Sequence, residues 1–321
     1  MDLQLLFDNL TNPALLFFFL GLIAVQLKSD LRIPENSSKF ISLYLLLSIG
    51  FKGGQELAHS TFSMEIIWAL LFGIVLAIVV PIYTFFILKR KFSTENSGAV
   101  AAAYGSVSAV TFVTAISFLE LKGIPFSGHM VAVMALMEAP SIMVGIILIM
   151  IFKSSKTEQQ IPIKKVFSHA LFNGSVVLIL GSLVIGYLAS DAQAEGIKPF
   201  TTDIFKGFLA VFLLDMGITT GKKLSEFFKQ GWFAFIFAIV IPIINGIAVA
   251  FLSGVFIESV GNRLLFAILA ASASYIAVPA AMKIAVPKAS PSLYLSMALA
   301  ITFPFNITLG MPLFLYIINI S

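Results

Sequence analysis

The amino-acid sequence predicts an all-α polytopic membrane protein. It has ten transmembrane helices as a 5+5 inverted repeat, with discontinuous helices at the centre. Three observations lead there. The first is composition: of 321 residues, 59% are hydrophobic and 11% charged, and the mean hydropathy is +1.01. A soluble domain carries roughly 25% charged residues, and this chain has too few to cover a wetted surface. Its apolar residues come in runs of about 18–25, the helix length that crosses roughly 30 Å of hydrocarbon. A β-barrel would show alternating strands of about ten residues instead.

The second observation is an internal repeat. Ile49-Gly50-Phe51-Lys52-Gly53-Gly54 aligns with Met216-Gly217-Ile218-Thr219-Thr220-Gly221 at an offset of 167. Gly105-Ser106-Val107-Ser108 aligns with Ala271-Ser272-Ala273-Ser274 at an offset of 166. Gly123-Ile124-Pro125 falls on Ala285-Val286-Pro287, and Pro140 on Pro304. Small residues are common in membrane helices, so one match means little. Four matches in order and spacing mark a repeat. With five spans per copy, the second copy enters the membrane from the opposite side. That arrangement belongs to secondary transporters, which bind near the midplane where the repeats meet.

The third observation is the distribution of Lys and Arg. One side of the membrane holds Lys52, Lys122, Lys198, Lys206 and Arg263, and the loops on the other side hold the remaining 15 of the 20. Basic loops face the cytoplasm. Both termini are therefore expected outside the cell (inner) membrane, with the midpoint loop inside.

In chain order, the spans are 13–29, 38–56, 64–88, 97–119, 128–152, 168–189, 203–220, 230–257, 262–284 and 291–319. The first follows Asp2 and Asp8, not a basic stretch, and no small-residue cleavage site follows it, so it reads as a span and not a signal peptide. The second carries Lys52 near its end, which either snorkels to the interface or offers a charge partner to an anion. The fourth is punctuated by Gly105 and a Ser-x-Ser pair. The fifth opens on His129 and holds Glu138 beside Pro140. Glu138 is either functional or structural, and an ionisable residue inside a span is functional by default. The longest polar connection, 153–167, separates a first repeat, 1–152, from a second, 168–321. Asn173-Gly174-Ser175 matches a glycosylation triplet but lies at a span start on the expected cytoplasmic side. The seventh span holds Asp215, which either faces the bundle or sits near the cytoplasmic end. The ninth repeats the Ser-x-Ser pattern, with Pro279 after it. The tenth sets Thr302 and Asn306 around Pro304, where the first repeat has Glu138 and Pro140.

The Ser-rich stretches have a chemical reading. Gly105 and Pro279 weaken helix continuity. A broken helix frees backbone N–H groups, and its positive end favours an anion. The hydroxyls of Ser106, Ser108, Thr111, Ser272 and Ser274 suit an oxyanion or a small hard cation. One copy alone would read as close helix packing; two matched copies point to one shared site. The expected substrate-binding set is Gly105, Ser106, Val107, Ser108, Ala271, Ser272, Ala273, Ser274, Tyr275 and Lys52. The expected cation-binding set is Thr111, Glu138, Thr302 and Asn306. There a carboxylate, hydroxyls and carbonyls freed beside proline suit Na⁺ or a proton relay.

Other function classes are excluded. With no cysteine, disulfides and thiolate metal sites are out. The three histidines are not in paired ligand spacing, and none lies in a span near Ser106 or Ser272 to serve as a base. The chain does not read as an enzyme, and no cofactor is expected beyond Na⁺ as coupling ion. The net charge of +4 and the pI near 9.2 are accounted for by the loops, which leaves no basic face for nucleic acid.

At these residues the chain resembles the sodium-dependent bicarbonate transporter family, the SbtA-type permeases. The resemblance covers nearly the whole chain. It is carried by Ile49-Gly50-Phe51-Lys52-Gly53-Gly54, Gly105-Ser106-Val107-Ser108, Ile124-Pro125 and Glu138-Ala139-Pro140. Its most specific stretch is Pro287-Lys288-Ala289-Ser290-Pro291-Ser292-Leu293-Tyr294. The resemblance implies a ten-span inverted repeat, Na⁺/bicarbonate symport into the cytoplasm, a homo-oligomer (a trimer) and a small PII-like regulator on the cytoplasmic face. It also places the anion at the two Ser-rich stretches. The sequence departs from the family pattern in span nine, where members carry Ser-Ser-Ser-Asp and then Gly-Pro-Pro. Here the run is Ala271-Ser272-Ala273-Ser274-Tyr275, then Val278-Pro279-Ala280, without the carboxylate. Lys52 stands where an uncharged residue is expected.

The expected function is secondary active transport of a small oxyanion, bicarbonate first, by Na⁺ symport with alternating access. The alternative is transport of another small inorganic or organic anion, or a cation- or proton-coupled exchanger using Glu138 and Asp215.

Overall fold

A computed structural model describes residues 3–60, 63–153, 166, 168 and 171–321. The connection expected at 153–167 and the start of the sixth span lie almost entirely outside the described residues. The chain is 83% helical, with no strand among the described residues.

The helices of the first half are α1 (Leu3–Leu10), α2 (Pro13–Gln26), α3 (Glu35–His59), α4 (Met64–Leu88), α5 (Thr94–Gly105), α6 (Ala109–Lys122) and α7 (His129–Phe152). The second half holds α8 (Gly174–Leu188), α9 (Asp191–Lys198), α10 (Phe205–Phe227), α11 (Trp232–Ser253), α12 (Val260–Ala271) and α13 (Ala277–Ala285). The last is α14 (Pro291–Ile320), a continuous run containing two π-helical stretches. Local chemistry sets the ends. Ser93, Ser108, Asn173 and Ser259 each accept a backbone N–H from the first turn of the helix they precede. Gly123 ends α6 in the left-handed region, at φ 64°.

Six runs are long and apolar enough to cross a membrane: α4, the α5–α6 run, α7, Asp191–Leu224, α11 and α14. The chain is a multi-pass membrane protein. The other expected spans differ for physical reasons. α2 and α8 are apolar but only 14 and 15 residues long. α3 has 25 residues, but Glu35, Lys39, Lys52 and Glu56 shorten its apolar stretch. The ninth span is divided into α12 and α13, of 12 and 9 residues.

The surface is built for lipid. Leu71, Val75, Val79, Ile82 and Phe86 form an exposed stripe at helical spacing on α4, and Ile236, Val240, Ile244 and Phe251 form one on α11. Water would not tolerate such stripes; hydrocarbon does. α5 and α12 are the reverse case. Every residue of Ser97–Gly105 and of Gly261–Ala271 is buried. Helices buried all round need small residues for neighbours to approach, and Ala99, Ala101, Ala102 and Ala103 supply them in α5.

Packing crosses between the halves of the chain. α3 lies most extensively against α8, and α2 against α10. Both contacts are glycine-to-glycine. A Cβ on Gly21 or Gly217 would run into the opposing backbone, and the same holds for Gly54 and Gly186. The buried side chains form two apolar clusters. α5 lies in one and α6 in the other, and α12 and α13 are divided the same way, in the opposite direction. Each broken span therefore passes from one cluster to the other at its break.

Candidate functional site

The fourth span breaks after Gly105, where Pro81 and the Ser141 hydroxyl leave no room for a side chain. Ser106, Val107 and Ser108 follow, and α6 restarts under Ser108. The Ser108 hydroxyl accepts from the Thr111 N–H at 3.2 Å and from the Thr111 hydroxyl at 2.8 Å. The ninth span breaks after Ala271 and restarts at Ala277. Pro279 is not at the break. It sits in the first turn of α13, where a missing N–H removes no helical hydrogen bond.

The two breaks meet. The Ser108 N–H donates to Ser272 Oγ at 3.0 Å, and the Ser274 N–H donates to the Ala103 carbonyl at 2.8 Å. The Ser272 hydroxyl donates in turn to the Leu269 carbonyl at 2.9 Å. Ser106, Ser108, Ser272, Ala273 and Ser274 are all buried. The N-termini of α6 and α13 converge here with the C-termini of α5 and α12, so partial charges of both signs lie in the buried interior.

A small cavity opens at the crossing. Val107, Ser108 and Ala109 line it from the first break, Ser274, Tyr275, Ile276 and Ala277 from the second, and Leu46, Glu138 and Ser175 close it. It measures about 20 Å³, room for roughly one water molecule or a stripped ion. Glu138 is 8% exposed and accepts from Asn173 Nδ2 at 2.7 Å. No cationic side chain pairs with it among the described residues. A buried carboxylate without a positive partner is costly, so this position suits a small cation or a proton.

The remaining expected residues fall in four places. Asn306 lies at the crossing: its Nδ2 donates to the Ala271 carbonyl at 2.8 Å, and its Oδ1 is buried without a partner, as is Ser106 Oγ. These two free oxygens, with Thr111 and Glu138, are hard donors of the kind Na⁺ takes. Thr302 is tied up away from the cavity. Its hydroxyl donates to the Ala238 carbonyl at 2.8 Å, so the Tyr104 hydroxyl, 2.7 Å away, must be the donor to Thr302. Lys52 is not brought to the crossing. It pairs with Glu120 at the end of α6, 2.5 Å away, on the wall of a separate open cavity with Glu56 and His59. Asp215 is buried against α3, where it accepts from the Ser38 hydroxyl.

Sequence reasoning weighed Asn173 only as a glycosylation triplet and passed over Ser141, Tyr83 and Asn245. Asn173 carried a signal, because an asparagine just before an apolar run is a helix-cap pattern. Its side chain caps α8 through Ser175 and Val176 while also holding Glu138. Ser141, Tyr83 and Asn245 are single polar residues in apolar helices, and only the fold shows what they face.

A sequence model of the Na⁺-dependent bicarbonate transporter superfamily matches residues 13–319, nearly the whole chain. The chain belongs to this superfamily. The Na⁺-dependent bicarbonate transporters are a transport family and not an enzyme family, with a small anion as substrate and lipid as surroundings. Na⁺ dependence in the superfamily suggests Na⁺ as the coupling ion here. A search of curated proteins finds no match.

Proposed function

We propose that the chain is a secondary active transporter that carries a small oxyanion, bicarbonate first, into the cytoplasm by Na⁺ symport. The carrying observation is the crossing of the two breaks through Ser108 and Ser272 beside a cavity that also holds Glu138. On this reading the anion is held by N–H groups and hydroxyls of Ser106–Ser108 and Ser272–Tyr275. Na⁺ is held by hard oxygens drawn from Thr111, Glu138 and Asn306. Lys52 is left out of the substrate set, because Glu120 already neutralises it. Thr302 is assigned a structural part.

The architecture in this proposal is ten spans in two inverted repeats, 1–152 and 168–321, with both termini outside the cell membrane. The reciprocal packing of α3 on α8 and α2 on α10 supports it, since an inverted repeat generates such crossed pairs. The element built from spans 3–5 and 8–10 moves against spans 1–2 and 6–7. A trimer and a PII-like cytoplasmic regulator complete the reading by family resemblance. The second reading, an exchanger using Glu138 and Asp215, draws on both carboxylates being buried.

The test is uptake of labelled bicarbonate into proteoliposomes, with and without an inward Na⁺ gradient. Gradient-stimulated uptake is the expected result. Uptake that ignores Na⁺ removes the coupling, and no uptake by folded protein removes bicarbonate.

A further inference from the structure

An α-helix leaves its last carbonyls without partners. At the end of α12 the last three are met. Leu269 O takes the N–H and hydroxyl of Ser272 at 3.3 and 2.9 Å. Ala271 O takes Asn306 Nδ2. Ala270 O takes Nδ2 of Asn245, from α11, at 3.0 Å. Asn306 already belongs to the proposed cation site; Asn245 belongs to none.

Asn245 is itself oriented from the other half of the chain. The Tyr83 hydroxyl, on α4, donates to Asn245 Oδ1. The Ala270 carbonyl can only accept, so it fixes the NH₂ toward itself, and the Tyr83 hydroxyl then donates to the oxygen and anchors the other end of the amide. Without that hydroxyl, the buried amide oxygen loses its donor and the side chain is held at one end only. Ala270 lies two residues before Ser272, the acceptor for Ser108, and four before Ser274, which lines the cavity.

We propose that Tyr83 and Asn245 are positioning residues for the substrate site. Through the Ala270 carbonyl they hold the second break in register with the first, touching neither anion nor cation. The proposal rests on the crossing being the anion site.

The test compares Tyr83→Phe, Asn245→Leu, the double variant and Thr220→Val in purified full-length protein. Thr220 makes a similar buried bond, to the Leu299 carbonyl at 2.8 Å, and neither residue lines the cavity. Two quantities are read: KM and maximal rate of bicarbonate uptake, and hydrogen–deuterium exchange over residues 272–276. Tyr83→Phe and Asn245→Leu should raise KM roughly fivefold to tenfold, the scale of one lost hydrogen bond. Maximal rate per folded protein should hold, and exchange at 272–276 should quicken. In the Asn245→Leu background, removing the Tyr83 hydroxyl should change neither readout further. Thr220→Val should lower the melting temperature and leave both readouts alone. Unchanged exchange at 272–276 in Tyr83→Phe overturns the proposal, and so does a KM that rises equally in Thr220→Val. Exchange needs no cargo. Absent bicarbonate uptake by the wild type would therefore sink the transport reading while the positioning role is still decided.

Discussion

The backbone N–H of Ser108 donates to the hydroxyl of Ser272 at 3.0 Å, across 164 residues of sequence. Both residues are buried away from bulk solvent. Ser272→Ala strands the Ser108 N–H, and an unsatisfied buried donor costs about 1–3 kcal/mol. The expected outcome is a lower melting temperature in detergent together with weaker substrate affinity. A variant as stable and as active as wild type would mean that the crossing is incidental.

Glu138 should govern the cation and not the anion. Glu138→Gln keeps the shape and an oxygen for Asn173 Nδ2, and removes the charge. The account expects Na⁺ activation to shift to higher concentration by at least about tenfold, the scale of a lost charge-assisted contact. Titrating uptake against Na⁺ at fixed anion reads it directly. Equal Na⁺ curves would assign Glu138 a structural role.

Lys52 should be dispensable for substrate affinity. Its partner Glu120 is, like Lys52, about a quarter exposed, and ion pairs at such positions contribute roughly 0–1 kcal/mol. Lys52→Ala is expected to leave KM for the anion unchanged, and the charge swap Lys52→Glu with Glu120→Lys to behave as wild type. A tenfold loss of anion affinity in Lys52→Ala alone would return Lys52 to the substrate site.

Gly54 and Gly217 test the crossed helix pairs. A Cβ at Gly217 meets the Phe18 carbonyl, and one at Gly54 meets the Leu183 carbonyl. Backbone cannot yield as a flexible side chain does, so Gly217→Ala and Gly54→Ala should each destabilise by about 1–3 kcal/mol or more. Gly181, with open space around it, is the control, and Gly181→Ala should be silent. Thermal melts of the three variants decide this.

The interrupted spans were legible because polar residues inside lipid-length runs have few explanations. Ser106, Ser108, Ser272 and Ser274 announced a break at both places where the structure has one. The position of the second break was not legible, because Pro279 looked like the breaker and is in fact a first-turn residue. The register of the repeat was also ambiguous. Glycine recurs every fourth residue at 50 and 54 and again at 217 and 221, so two alignments fit. The contacts set Gly54 against Gly186 and Gly217 against Gly21, so under the proposed repeat Gly54 pairs with Gly217, one helical turn from the alignment of Gly50 with Gly217. Lys52 was misplaced for a different reason: its partner, Glu120, is 68 residues away and offers no pattern within the sequence.

The central claim is that the crossing holds the anion. The measurement is the KM for bicarbonate in Na⁺-driven uptake by Ser274→Ala, beside wild type in the same liposomes. Ser274 lines the cavity, and its hydroxyl makes only a 3.4 Å contact with the Val278 N–H, so the fold should survive its loss. The account predicts a KM raised roughly tenfold, about 1.4 kcal/mol, with Na⁺ dependence retained. An unchanged KM in folded protein would contradict it and move the anion elsewhere.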